Sequence, residues 1–388
     1  METEIKAEQQ PVVPSGPVRK KTLLIATDCF LPRWDGVSRF LHEVVPHLTR
    51  YFDVVIAAPR FSGTITGFEN TTIIRFPVGR TRVGDINLAK VKRSTLVKLI
   101  RNSDIVWTQT IGPIGALSMY YAKKQGKPLA CFVHSVEWYL FSKSLKRFRK
   151  FVELTLRKTI PFLYNRCDVV MVPFDGMIPI LEEQGITPKK EIVYLGVDAN
   201  RFRPGDSKIM AKERLGLNTN DIVVGYLGRF GREKDVFTLY EAFRKLHQDK
   251  PNTTLLLVGG KLDKPFEYVE GIKVVDSVDN PVPYYQAMDV YVLPSLTETT
   301  SLTTMEAMSC GLPVVVTPVG YVQKYVEHKF NGFIFPFKNS ERLYLILKTL
   351  VKDAPLRKEV GRNARTTILQ KHSWQKTAEV IADILKRF

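Results

Sequence analysis

The sequence predicts an α/β protein of two doubly wound domains. Three observations lead there: the chain is long enough for two cores, apolar runs of strand length alternate with helical patterns, and that rhythm breaks once near the midpoint. With 388 residues, 44% hydrophobic and 25% charged, its composition excludes a disordered tail protein.

Residues 1–20, rich in Glu, Gln, Pro and Ser, carry no periodic apolar pattern and read as a flexible lead-in. From Lys21 onward the runs Thr22 to Ala26, Val54 to Ala58, Thr72 to Phe76, Ile105 to Thr108, Leu129 to Val133 and Val169 to Val172 are bounded by polar or turn residues. Such near-continuous runs suit parallel strands covered on both faces. Between them lie helical patterns, as in Val37, Phe40, Leu41, Val44, Val45 and Leu48, which share one helical face. The stretch from Gly196 to Asp206, with Pro204 and Gly205, interrupts this alternation and reads as a linker. Strand-like runs resume at Ile222 to Leu227, Thr254 to Val258, Ile272 to Val275, Val290 to Leu293, Val314 to Thr317 and Phe333 to Phe335. The reading is a first domain over 21–200, a second over 201–370 and a closing helix over 371–388. A cleft between the carboxyl ends of two such sheets is where chemistry is expected.

Lys and Arg number 57 against 39 Asp and Glu, a net charge of +18 that points to an anionic partner. Residues 75–150 hold 16 basic and 3 acidic side chains, which is +13 of that total. The excess is local to the first domain. Cys29, Cys131, Cys167 and Cys310 lie far apart without a CxxC pair, as core thiols of a reducing cytosol would. No apolar run has the length of a membrane-spanning helix, and the polar, acidic N-terminus is unlike a signal peptide. The expected location is cytoplasmic, peripheral at the inner face of the membrane.

The most specific segment runs from Leu293 to Val316. A buried strand leads into a polar loop, and a helix then runs to Gly311 as its stop. The loop Thr299, Thr300, Ser301, Leu302, Thr303 would present free backbone N–H groups at a helix N-terminus, which suits a phosphate. Glu298 in the loop and Glu306 on the helix could accept hydrogen bonds from hydroxyls on either side of it. By themselves the two glutamates fit a strand end and a solvated helix face better than a binding pair. After the first strand of the second domain, Arg229 and Lys234 flank a glycine-containing turn and could reach one dianionic group from two sides. In the first domain, Gly36 would let backbone approach a ligand at a helix start, and His134 ends a strand at the expected cleft.

The segment from Leu293, continued by Thr317-Pro318-Val319-Gly320, resembles the donor-site signature of glycosyltransferase family 4, retaining enzymes of the GT-B fold that use nucleotide-activated sugars. The resemblance spans nearly the whole chain from Lys21 and implies two Rossmann-like domains facing a central cleft, with the last helix crossing back onto the first. It implies that Glu298 binds the donor sugar, Glu306 the nucleotide ribose, Arg229 and Lys234 the donor diphosphate, and that His134 contacts the donor sugar. Gly36 matches the family's first glycine-rich loop, although the usual glycine pair appears as Asp35-Gly36. The second glycine pair appears as Gly320-Tyr321, and Thr299-Thr300-Ser301 stands where relatives carry Gly-x-Gly. β-Branched residues there resist positive φ. The chain carries no Asp-x-Asp motif, so neither a metal nor another cofactor is expected beyond the nucleotide-sugar donor.

The segment 143–158 places Leu145, Phe148, Val152 and Leu156 on one stripe, with Lys146, Arg147, Arg149, Lys150 and Arg157 mainly elsewhere. That is the pattern of a basic amphipathic helix, which could pack on the sheet or, with Lys90, Lys92, Arg93, Lys98 and Arg101, dock on an anionic membrane. The latter suits a lipid or lipid-linked glycan acceptor. The sequence also leaves open a GT-B phosphorylase, a sugar-nucleotide epimerase and a basic scaffold without catalysis. A nucleic-acid partner is not expected, because no helix-turn-helix, zinc or RNP-type signature accompanies the charge.

Overall fold

The computed structural model describes residues 19–33, 35–63, 68–83, 86–134, 149–260 and 270–388. The first sheet contains β1 (Lys21–Ala26), β2 (Phe52–Arg60), β3 (Thr71–Val83), β4 (Ile86–Ala89), β5 (Ile105–Thr108), β6 (Leu129–Phe132), β7 (Val169–Val172) and β8 (Lys189–Ile192). Their order is β4-β3-β2-β1-β5-β6-β7-β8, parallel except for the antiparallel edge strand β4. The second sheet contains β9 (Ile222–Leu227), β10 (Thr253–Val258), β11 (Ile272–Val275), β12 (Val290–Leu293), β13 (Val314–Val316) and β14 (Gly332–Ile334). All its pairs are parallel, in the order β11-β10-β9-β12-β13-β14. Both halves are therefore doubly wound α/β layers.

Burial explains which strands the apolar pattern reveals. Every residue of β5, β6, β7 and β12 is buried, as a strand covered by helices on both faces requires. The pattern does not reveal β4 and β8. β8 reads Lys-Lys-Glu-Ile, with no apolar run, and is a strand because it pairs with β7 at the edge. The run at Phe333 to Phe335 is displaced by one residue, since the paired segment is Gly332–Ile334.

The helix Gly36–Leu48 starts where Asp35 accepts a hydrogen bond from the Ser38 backbone N–H at 2.9 Å. It buries Phe40, Leu41, Val44, Val45 and Leu48 against the first sheet. The last helix, Trp374–Lys386, packs beside it and places Trp374, Ala378, Ile381 and Leu385 in the same core. The chain thus crosses between the sheets twice, and the two crossings touch: Val197 bridges to Ser373, and a Cβ on Gly196 would lie 2.3 Å from the Trp374 nitrogen.

The predicted basic helix is described only in part. A helix spans Arg149–Tyr164, ending later than expected, with Ile160 and Tyr164 buried and Arg157 and Lys158 exposed. Residues 143–148, and the side chains of the proposed stripe at Val152 and Leu156, lie outside the described residues, as does the lead-in 1–18. The four cysteines are free and buried. Among the described residues no helix is long and apolar enough to cross a membrane.

Candidate active site

In each sheet the strand order reverses once, between β1 and β5 in the first and between β9 and β12 in the second. The loops leaving the carboxyl ends of these strands are where a doubly wound domain binds its ligand. The predicted residues Arg229, Lys234 and Glu298 all stand on such loops, and a cavity of about 220 Å³, which Arg229 lines and Lys234 and Glu298 do not, opens toward the first domain. It is lined by Arg39 and Arg201 on one side and by Gly228, Arg229, Gly259, Val278 and Glu306 on the other.

The loop after β12 is held from behind. The phenol of Tyr325 donates to the Thr300 carbonyl at 2.8 Å, and the Tyr321 backbone N–H donates to the Thr299 carbonyl at 2.8 Å. Its left-handed residue is Ser301, with φ 57°, immediately before the helix Leu302–Ser309. The strained position thus falls on the residue of the three that lacks a β-branch. Thr299 and Thr300 are not at positive φ, so the β-branched residues avoid that strain. Thr300 is buried, and its Oγ1 has no hydrogen-bond partner among the described residues. Thr303 accepts a hydrogen bond from the Tyr291 phenol at 2.9 Å, and Leu302 packs against the first sheet's core.

Glu298 follows β12 and turns one carboxylate oxygen to two donors, Lys234 Nζ at 2.7 Å and Ser295 Oγ at 2.9 Å. The Lys234 and Glu298 side chains are only 17% and 14% exposed, so the pair is sheltered and its attraction little screened. Arg229 behaves differently. Its side chain is 82% exposed, with Glu233 3.7 Å away. The two cations expected to grip one group from both sides are held by separate carboxylates instead.

Glu306 corrects the solvated-face reading. It is fully buried. One carboxylate oxygen accepts from the Arg39 guanidinium, and the other from the Tyr285 phenol at 2.8 Å. Burial raises the Tyr285 pKa well above its ordinary value, which keeps it a neutral O–H donor. Arg39 comes from the helix Gly36–Leu48, on the far side of the cleft, and the sequence reading missed it. Its only local sign is a cation set among Val37, Phe40 and Leu41. Gly36 itself is exposed, and a Cβ there would meet nothing within 4 Å, so close packing does not require this glycine.

His134 follows β6 and lies between the rings of Phe132 and Phe40, with centroids 4.5 and 4.9 Å away. Its Nε2 is 2.9 Å from Gln109 Oε1. Gln109 was missed, yet it follows β5 as His134 follows β6, a polar residue directly after a buried strand at the carboxyl edge. Desolvation pushes the His134 pKa down to about 3, so the ring is neutral in the physiological range. The unfolded chain binds this proton near pH 6.5 and the folded one only near 3. His134 therefore contributes stability that is complete above about pH 6.5 and lost as pH falls toward 3. Thermal melts between pH 7 and 4 should show His134→Gln losing less stability on acidification than the wild type, and equal losses would contradict this environment.

Among the described residues no group of three or more His, Cys, Asp or Glu side chains is arranged to hold a metal ion. Comparison with known proteins shows the family. Residues 34–201 match the family model Glycosyltransferase Family 4, and residues 207–367 match that of Glycosyl transferases group 1.

The chain belongs to glycosyltransferase family 4.

It is a hexosyltransferase of GT-B fold. The UDP-Gal:alpha-D-GlcNAc-diphosphoundecaprenol alpha-1,3-galactosyltransferase of Escherichia coli is 28% identical over 91% of this chain and 94% of its own. The alpha-monoglucosyldiacylglycerol synthase of Acholeplasma laidlawii is 28% identical over 71% of this chain and 74% of its own. Among solved structures, Anabaena Alr3699/HepE in complex with UDP superposes with a TM-score of 0.75 over 95% of this chain and 100% of that one, at 20% identity. WaaG, a glycosyltransferase involved in lipopolysaccharide biosynthesis, gives 0.69 over 94% and 99%, at 17% identity. Likeness at that identity is likeness of fold.

Proposed function

We propose that this glycosyltransferase moves a hexosyl unit, with retention, from a nucleoside diphosphate sugar to a hydroxyl of a lipid or lipid-linked glycan. The observation that supports this best is the placement of Glu298 and Glu306 at opposite ends of one loop and helix start, both sheltered, with Glu306 lining a cavity whose walls carry Arg39, Arg201 and Arg229. In this reading Glu306 takes the ribose hydroxyls, the loop from Thr299 to Thr303 and the cations Arg229 and Lys234 take the diphosphate, and Glu298 takes the sugar. Gly228 and Gly259, both at positive φ, keep the pocket wall open, since a Cβ on Gly259 would lie 2.3 Å from the Gly228 carbonyl oxygen.

One Glu298 oxygen already accepts two hydrogen bonds, which suits a sugar ligand better than a nucleophile. The acceptor oxygen then attacks the anomeric carbon on the face that the phosphate leaves. The carbon–phosphate oxygen bond breaks, the new glycosidic bond forms, and the acceptor proton passes to the departing phosphate. His134, being neutral, contributes hydrogen bonding to the sugar. Rate enhancement comes from orientation of both substrates and from fixed positive charge at the leaving group. With cations in that role, EDTA should leave the rate unchanged.

The names of both relatives above include a lipid, a diphosphoundecaprenol in one and a glucosyldiacylglycerol in the other. The first domain also presents a suitable face: Tyr120 and Phe162 are 43% and 54% exposed, Arg166 lies over both rings, and Lys123, Lys124, Arg157 and Lys158 are exposed nearby in sequence. Aromatic and basic residues together suit an anionic lipid interface. Co-sedimentation with vesicles containing anionic lipid should exceed that with neutral vesicles and fall as salt rises, and salt-independent binding would reject the electrostatic docking.

The test of the activity is a calorimetric comparison of UDP, GDP and ADP, followed by a panel of donor sugars on lipid extracts with the product anomer assigned by NMR. A retained anomer on a lipid product is expected. An inverted anomer, or donor turnover without an acceptor, would refute the reading.

A further inference from the structure

The Arg39–Glu306 pair joins opposite walls of the cleft. Both side chains are sheltered, 15% and 1% exposed, and both line the same cavity. Arg39 lies over the ring of Phe202 at 5.7 Å, and Arg201 lies over that ring at 5.3 Å. The guanidinium is not fully satisfied there: its Nε is buried without a hydrogen-bond partner among the described residues. Tyr285 fills the other Glu306 oxygen from the second domain. Each oxygen keeps further acceptor capacity, but the carboxylate is only 1% exposed, so the hydroxyls of a ribose would have to displace Arg39 to reach it.

We propose that Arg39 is an internal competitor for the ribose site, a residue that sets donor affinity by holding the Glu306 oxygen which the ribose hydroxyls must take over. This rests on Glu306 being the ribose ligand. A nucleotide enters by exchanging one charge-assisted contact for another, so part of its binding free energy opens the cross-cleft pair. Opening also releases a guanidinium, with an unsatisfied N–H, beside Arg201 within the same cavity. Donor binding and the relation of the two domains are thereby coupled through one ion pair.

Calorimetry on Arg39→Met tests this, using UDP, GDP and ADP and the 2′,3′-dideoxy analogue of whichever binds most tightly. Removing the competitor should tighten the ribonucleotide by about tenfold, within the usual range of such couplings. The dideoxy analogue, which has no hydroxyl to place on Glu306, should bind the variant and the wild type alike. Arg39→Gln, neutral but polar, should give the same sign if the methionine variant does not fold. Unchanged or weaker ribonucleotide binding by the variant, or an equal gain for the dideoxy analogue, would overturn the competition. If the wild type binds the ribonucleotide and its dideoxy analogue equally well, or binds none of the three nucleotides, the ribose reading of Glu306 itself falls.

Discussion

Glu298→Gln is expected to lower transfer by about 10²–10³-fold, the usual cost of removing one well-placed polar contact to the reacting group. The amide is nearly isosteric, so the loop after β12 keeps its path. What changes is charge. Glu298 is the 2.7 Å partner of Lys234, whose side chain is only 17% exposed, and glutamine leaves that ammonium without its counterion. The lysine then has reason to move, and with it one of the two cations assigned to the leaving diphosphate. The oxygen assigned to the donor sugar loses its charge at the same time. Because the pair is sheltered and not fully buried, the stability loss should be about 1–2 kcal/mol. Steady-state rates at saturating donor, set against the thermal midpoint, separate the two effects. Undiminished transfer in a folded variant would refute the site assignment.

Gly320→Ala should damage the same loop from behind. Gly320 sits at φ +48°, where an L residue costs about 1–2 kcal/mol. A Cβ there would lie 2.3 Å from the Glu298 carbonyl oxygen and 2.4 Å from that of Thr299. Both are backbone atoms and cannot swing aside as the end of a side chain could. The loop must shift, and the hydrogen bond from the Tyr321 N–H to the Thr299 carbonyl is strained or lost. A displacement of about 1 Å in the carboxylate and N–H groups ahead of it is enough for roughly a hundredfold loss of rate. We expect transfer to fall by that order and the melting midpoint to drop by about 5 °C or more. Gly36→Ala is the contrasting case for stability: a Cβ there meets nothing, so its midpoint should scarcely move. Equal midpoints for Gly320→Ala and the wild type would contradict the packing described here.

Gly320 also illustrates what a sequence displays. The neighbouring tyrosine, where relatives carry a second glycine, is no defect in this chain. Tyr321 stacks on Tyr194 of the first domain at 4.8 Å and lies near Phe174, Tyr325 and His372, so it supplies a contact between domains.

The sequence alone determined the two-sheet architecture, because strands buried on both faces are apolar at nearly every position, as Leu129–Phe132 and Val169–Val172 are. It also delimited the strand, loop and helix that carry Glu298 and Glu306, because they are contiguous and their backbone conformation is set by local rules. It could not locate edge strands such as Lys189–Ile192, which are strands by hydrogen bonding to a neighbour and not by burial. Nor could it tell a solvated glutamate from a buried one. Glu306 is defined by Arg39, 267 residues away, and by Tyr285, Glu298 by Lys234, and His134 by Gln109. The protonation state of His134 and the pairing of each carboxylate depend on distance and on exclusion of water. Those quantities exist only once the two sheets have brought their loops to a common cleft.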